Sequence, residues 1–233
     1  YHVCLSYIIF KNIFETEFCM EILVVGFYAP ETMGWYLEKN LIRKGHSVDV
    51  FCYRSISKNI SPTSLVSKGF RHVYPFSKAY KTKVNRDLIR IVKKKKYDLV
   101  IFLKAETINL ETVKTIKPHC GKVINWYMDP IVELEHNLDF DLISEFDLFL
   151  VKDKFIEKRL KELGINNVRF LLEAFDPEIY KPIEKDSKYE SDVSLVGNIY
   201  PYRLRILKFL QDYNLKVWGQ LVNINKADVS KFY

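Results

Sequence analysis

The sequence predicts an α/β protein built on a parallel sheet, and three observations carry that expectation. Short apolar runs of strand length recur along the chain: EILVVG at 21–26, YDLVIFL at 97–103 and KVINWYM at 122–128. Their length and β-branched content are those of strands buried on both faces. Amphipathic helical stretches alternate with them, the arrangement that places helices against both faces of a parallel sheet. Hydrophobic residues make up 48% and charged residues 28% of the 233 positions, ordinary globular usage that supports a packed core and argues against disorder.

After the first run, Met33, Tyr36, Leu37 and Leu41 share one helical face, with Pro30 suited to the first turn and Gly45 to the C-terminal cap. HSVDVFCY at 46–53 reads as the second strand, and His46 as a residue of the turn before it. Residues 54–71 carry Ser, Asn, Pro and Gly without periodicity and read as a connection, with a short strand at 72–74. Val84, Leu88, Ile91 and Val92 mark the next helix face, and 108–116 a short helix. DLFLVK at 147–152 is a strand; 154–163 is a helix capped by Asp153, stopped by Gly164 and carrying Ile156, Leu160 and Leu163 on one face. VRFLL at 168–172 completes the series.

Between Asp176 and Asp192 the composition turns to Pro, Lys, Glu, Asp and Ser without apolar periodicity, the mark of a linker. The pattern then restarts, and the restart echoes the beginning. LVVG at 23–26 matches SLVG at 194–197, Tyr28 and Pro30 match Tyr200 and Pro201, and VDVF at 48–51 matches LKVWG at 215–219. Ile206, Leu207 and Leu210 are expected on the inner face of the second unit's helix. Each half therefore opens as a Rossmann-like unit. The expected organisation is an N-terminal extension at 1–19, a Rossmann-like domain at 20–180, a linker at 181–191 and the start of a second domain at 192–233. Met20, directly before a clean strand, is a good start-codon candidate, so 1–19 reads as upstream translation or a fragment end. The second unit is short of the ~100 residues usual for an independent core, so the chain is expected to be truncated.

Charge and composition exclude several classes. The 36 Lys+Arg against 29 Asp+Glu leave a net charge of +7, too scattered for a nucleic-acid footprint. Only 93–96 is a basic run, and it closes a helix, where cations complement the dipole; a patch for an acidic membrane surface, contacted peripherally, or for a polyanionic substrate is the alternative reading of it. Cys4, Cys19, Cys52 and Cys120 form no CxxC pair, which points to a reduced, cytoplasmic protein without a zinc or redox motif. The five histidines have no metal-ligand spacing, so no metal site is expected. The apolar stretch at 3–10 is too short to span a membrane and lacks the flanks of a signal peptide.

Ligands of open parallel sheets sit outside the carboxyl ends of the strands. That rule selects Gly26, Phe27 and Tyr28; Tyr53 and Arg54; Lys104 and Glu106; Asp129; Lys152 and Asp153; Glu173; and, in the second unit, Gly197, Asn198, Tyr200 and Arg203. Gly26 is followed by FYAPETMG, so the dinucleotide fingerprint GxGxxG is not met, and neither the P-loop nor GxSxG occurs. Gly26 reads as a tight turn or as a close approach to ligand. Gly197 and Asn198 followed by Arg203 suit a phosphate, since glycine admits close approach and arginine binds bidentately, while Asn198 suits a helix cap equally well. Asp129 ends a very apolar strand and is a candidate base, or else bonds backbone amides of its turn. Lys104 and Glu106 read as a substrate-contacting pair or a surface ion pair, and Asp176-Pro177 as a hinge turn.

Taken together, ILVVGFYAPETMGWYLEKNLIRKGHSVDVF, YDLVIFLKAE, VINWYMDP, DLFLVKD, LLEAFDPEIYKP and SDVSLVGNIYPYRLRILKFL resemble the CgeB-like (spore maturation protein) glycosyltransferases. These are relatives of glycosyltransferase families 1 and 4 with the two-domain GT-B fold, and the resemblance spans residues 20–219. It implies sugar transfer from a nucleotide-sugar, the donor substrate, to a saccharide-type acceptor, with no further cofactor and no metal. It assigns Gly197, Asn198, Tyr200 and Arg203 to the donor, Gly26, Phe27, Tyr28, Lys104 and Glu106 to the acceptor side, and catalysis to Asp129. Glu173 stands where the family carries a proline or a small residue, and the family's later donor segments would fall beyond Tyr233. A non-catalytic Rossmann-like module that binds nucleotide or glycan, or an inactive fragment, is the competing class. A nucleotide-dependent epimerase or dehydrogenase would need a phosphate loop near Gly26.

Overall fold

A computed structural model of the chain describes residues 18–53, 78–130 and 140–224. They belong to two compact units that divide between Asp176 and Pro177, a few residues ahead of the 181–191 stretch read as linker. The first unit runs β1 (Glu21–Gly26), α1 (Met33–Arg43), β2 (Ser47–Cys52), α2 (Lys78–Lys94), β3 (Tyr97–Leu103), α3 (Leu110–Ile116), β4 (Cys120–Tyr127), α4 (Phe140–Glu145), β5 (Leu148–Val151), α5 (Lys154–Glu162) and β6 (Val168–Phe170). All six strands are parallel, in the order β2-β1-β3-β4-β5-β6. This is a Rossmann-like α/β sheet. The strand expected at 72–74 and the extension at 1–17 lie outside the described residues.

Period-two alternation divides the apolar strand residues between two cores. Leu23, Val25, Val100, Phe102, Val123, Tyr127, Phe149 and Val151 face one side, where Val84, Leu88 and Val92 of α2, Val113 of α3, Ile143 of α4 and Ile156 of α5 meet them. Ile22, Val24, Leu99, Ile101, Leu103, Ile124, Trp126 and Leu150 face the other, with Leu37 and Leu41 of α1. Strands buried on both faces carry few polar positions, which is why they read as continuous apolar runs; the fully buried Asn125 of β4 is an exception. The connection from β1 to β2 runs one way across the sheet and the later ones run the other way. The helices change face with that reversal, as a single handedness of crossover requires.

Helix boundaries follow local chemistry. At the end of α1, Gly45 takes φ 88°, its N–H bonds to the Ile42 carbonyl at 2.9 Å, and the His46 N–H reaches Leu41 at 3.1 Å. This left-handed cap satisfies the last carbonyls of the helix and is tolerated because glycine has no Cβ. The start differs from the expectation at Pro30. Thr32 hydroxyl both accepts from the Ala29 N–H and donates to the Ala29 carbonyl, so Pro30 lies inside a turn closed on itself and α1 begins only at Met33. Asp153 caps α5 as its sequence position suggests, accepting from the Phe155 N–H at 2.6 Å.

The second unit is a strand-helix-strand fold of β7 (Val193–Val196), α6 (Pro201–Phe209) and β8 (Leu215–Trp218), its two strands parallel. Leu204 and Leu207 of α6 bury against Ile199 and Val217. Ile206, expected on that face, points to solvent, because the helix begins at Pro201 and the three-residue spacing that matches the sheet is 204 and 207.

The amino edge of the first sheet is tied by one cation. Lys95 Nζ lies 2.7 Å from both Glu21 and Asp49 carboxylates, and Tyr97 donates its hydroxyl to Asp49 at 2.9 Å. This joins the starts of β1, β2 and β3. The hydrogen bonds from Lys95 hold Glu21 and Asp49 below their ordinary values of 4.5 and 3.8, and Asp49 first, then Glu21, raise Lys95 above 10.5. Depressed carboxylates contribute stability above the ordinary carboxylate range and lose it as pH falls through their lowered values. The raised lysine contributes below 10.5 and loses its share only as pH rises through its raised value. Lys95→Met is therefore expected to lower the urea midpoint by a constant amount between about pH 6 and about 9, and by progressively less below about pH 4. A difference that does not change with pH would contradict this role.

Candidate functional site

The strand order reverses between β1 and β3, so the two crossovers leave in opposite directions and open a crevice at the carboxyl ends of these strands. The residues expected on the acceptor side gather at that edge. Gly26 ends β1 against β3: a Cβ there would sit 2.8 Å from Leu103 Cβ. Its glycine identity thus has a packing cause; the turn expected there does not require it, since Gly26 ends the strand without a left-handed φ. Phe27 follows, 42% exposed. Tyr28 donates its hydroxyl to the Glu38 carboxylate of α1, a bond that pushes the phenol up to about 12. Gly34 lets α1 approach this loop, since a Cβ would lie 2.7 Å from the Phe27 carbonyl oxygen.

Beyond β3 the backbone turns through two left-handed residues that are not glycine, Lys104 at φ 72° and Ala105 at φ 60°. Such conformations are costly and persist only where the surroundings over-determine them. Here several bonds do so. The Lys104 N–H reaches the Trp126 carbonyl at 3.1 Å, Asn125 Nδ2 donates to the Lys104 carbonyl at 3.4 Å, and Tyr53 hydroxyl donates to the Leu103 carbonyl at 3.4 Å. Asn85 of α2 holds the rest of the loop, donating to the Thr107 carbonyl at 2.8 Å and accepting from the Asn109 N–H at 3.0 Å. The turn aims Lys104 at the end of β4. Its Nζ lies 2.5 Å from Asp129 Oδ2 and 4.0 Å from Glu106 Oε1. The Lys104 and Asp129 side chains are 33% and 27% exposed, so the pair is reachable from solvent. Asp129 therefore meets a lysine, rather than only the backbone amides of its own turn.

A cavity of about 780 Å³ opens beside this cluster, lined among others by Lys78, Lys81, Asn85, Glu106, Thr107 and Asn109. At the next strand ends Lys152 pairs with Glu173 at 3.6 Å. Asp176, expected in a hinge turn, is instead buried and gripped by Arg43 Nη1 at 2.9 and 3.0 Å and by Asn40 at 3.2 Å, which fixes the last residue of the first unit to α1. Arg54 lies outside the described residues. Asn85 and Asn125 were not singled out by the sequence; the signal was a polar residue inside an apolar stripe or strand. Asn125 is fully buried and its Oδ1 has no hydrogen-bond partner among the described residues.

In the second unit Gly197, Asn198, Tyr200 and Arg203 come together at the carboxyl end of β7. Gly197 and Gly219 take φ 142° and 156°, and a Cβ on Gly219 would run into the Gly197 carbonyl, so both loops need glycine. Arg203 folds back on the loop, donating from Nη1 to the Asn198 carbonyl at 2.8 Å. Asn198 does not cap α6, whose N-cap is Tyr200.

Comparison with protein-family models finds no match, and no curated protein matches the chain. Among the described residues no cluster of three or more His, Cys, Asp or Glu is placed to hold a metal ion, and no helix is long and apolar enough to cross a membrane. Burial pushes the Cys120 thiol up to about 11, which makes it a poor nucleophile.

Gly26→Ala is expected to destabilise the first unit by about 1–3 kcal/mol through overpacking against β3. Adding Leu103→Ala should not restore stability, because the opposing atom is Leu103 Cβ itself. Chemical denaturation of the single and double variants measures both; recovery in the double variant would refute the contact.

Proposed function

We propose that this chain is a glycosyltransferase of the GT-B type, similar to the CgeB-like enzymes, that moves a sugar from a nucleotide-sugar donor to a saccharide-type acceptor without a metal. The observation that carries this reading is the Lys104–Asp129 pair, held by a strained left-handed turn at the switch point of a parallel sheet. On the first unit, Asp129 is the candidate base that takes the proton of an acceptor hydroxyl as its oxygen bonds to the sugar's anomeric carbon. Lys104 orients that carboxylate, and Glu106 and Phe27 border the acceptor. On the second unit, Arg203 offsets the charge of the diphosphate that leaves with the electron pair of the broken C–O bond. The cytoplasm suits such a donor, and Cys19 and Cys120, which form no disulfide among the described residues, fit a reducing compartment.

A non-catalytic binding module is the second reading, favoured by the engagement of Asp129 with Lys104 and of Tyr28 with Glu38. The two are separated by incubating the chain with UDP-, GDP- and dTDP-sugars and following nucleoside diphosphate release. The chain alone is expected to be inactive; turnover is expected with one donor class in a protein that also carries the donor segments the family places after residue 233, and there Asp129→Asn should slow it by about 100- to 10,000-fold, the range of a general base. Binding without release across the panel in that longer protein would favour the module, and a fully active Asp129→Asn would remove this residue from catalysis.

A further inference from the structure

We infer that Tyr202 is the platform on which the nucleobase of the donor stacks, beside an Arg203 that takes the diphosphate; the inference rests on the donor-side reading of the second unit given above. Tyr200 and Tyr202 lie with their ring planes 5° apart and their centroids 5.9 Å apart. The Arg203 guanidinium carbon stands 5.8 Å from each centroid. Arg203 Nε donates to the Tyr202 hydroxyl at 3.1 Å while Nη1 donates to the Asn198 carbonyl, so the guanidinium holds the ring and the loop together.

Three properties follow from that geometry. Tyr202 is 54% exposed, yet its hydroxyl is anchored and its ring is stacked on Tyr200, so little side-chain freedom remains to be lost when a flat group settles on it. Guanidinium carries five N–H donors and the loop uses two of them, which leaves the Nη2 donors without a hydrogen bond among the described residues. A fixed aromatic face next to a guanidinium with donors to spare matches a planar base joined to phosphates, the face taking the base and the fork taking the phosphate oxygens. Gly197 makes room for the folded-back guanidinium, because its missing Cβ would stand 3.1 Å from Arg203 Nη1. Tyr202 would thus decide affinity for the nucleoside, and Arg203 affinity for the phosphates.

Isothermal titration of the full chain with inorganic pyrophosphate, UDP, GDP, ADP and glucose 1-phosphate tests this. At least one nucleoside diphosphate should bind fivefold or more tighter than pyrophosphate, about the least that one base-on-aromatic stack contributes. Tyr202→Ala should bring that diphosphate down to the pyrophosphate level without changing pyrophosphate itself, whereas Tyr202→Phe should keep the advantage; Tyr202→Leu, apolar but not flat, replaces the alanine variant if that one does not fold. Arg203→Ala should weaken every ligand. Equal binding of pyrophosphate and all nucleoside diphosphates, or an advantage that survives Tyr202→Ala, overturns the stacking role and leaves the donor-side reading standing. A loss confined to glucose 1-phosphate assigns the ring to the sugar and also overturns it. Failure of the folded chain to bind pyrophosphate or any nucleoside diphosphate removes the donor-side reading, and the inference with it.

Discussion

The first unit depends on one topological constraint, the reversal of strand order between β1 and β3 in a wholly parallel sheet. Parallel strands bring all their carboxyl ends to one edge, and the reversal parts the crossovers there. Where that crevice begins, Gly26 of β1 leaves room for the Leu103 side chain of β3. Both faces of the sheet must then be apolar, which the two cores supply.

Order at that edge comes from polar side chains placed inside apolar elements. Asn85 on α2 and Asn125 on β4 both bond the β3 loop, Asn125 at the carbonyl of the left-handed Lys104 and Asn85 further on, at Thr107 and Asn109. Buried polar groups of this kind cost stability unless bonded, so they specify one loop conformation when they are. The opposite edge is organised differently. There Lys95 joins three strand starts through exposed ion pairs, and Arg43 fastens the exit of the unit to α1. Stability devices and chemistry-bearing groups thus occupy opposite ends of the strands, except for the Arg43 anchor at the chain's departure.

Much of this architecture is legible in the sequence because its causes are local. Burial on both faces writes itself as continuous apolar runs, and Gly45 and Asp153 mark helix ends through their own backbone and side-chain chemistry. Pro30 misleads because the hydroxyl of Thr32, two residues on and directly before α1, closes the turn around it. Ile206 misleads because a short helix offers too few positions to fix its phase. The pairings of the site are long-range: Lys104 meets Asp129, and Asp176 meets Arg43, only because the strand order brings their elements together. Sequence position places each residue at the ligand edge, but which neighbour it finds is set by the tertiary fold.

Ligand is expected at the carboxyl edges of both parallel sheets, and not at their amino edges. Amide chemical shifts of the full chain, followed while it is titrated with nucleotide-sugars, test it most directly. Shifts are expected at 26–28, 103–106 and 128–129 in the first unit and in the 197–203 loop of the second, with Glu21 and Lys95 unmoved. Shifts centred on Glu21 or Lys95, or none at any residue, would contradict it.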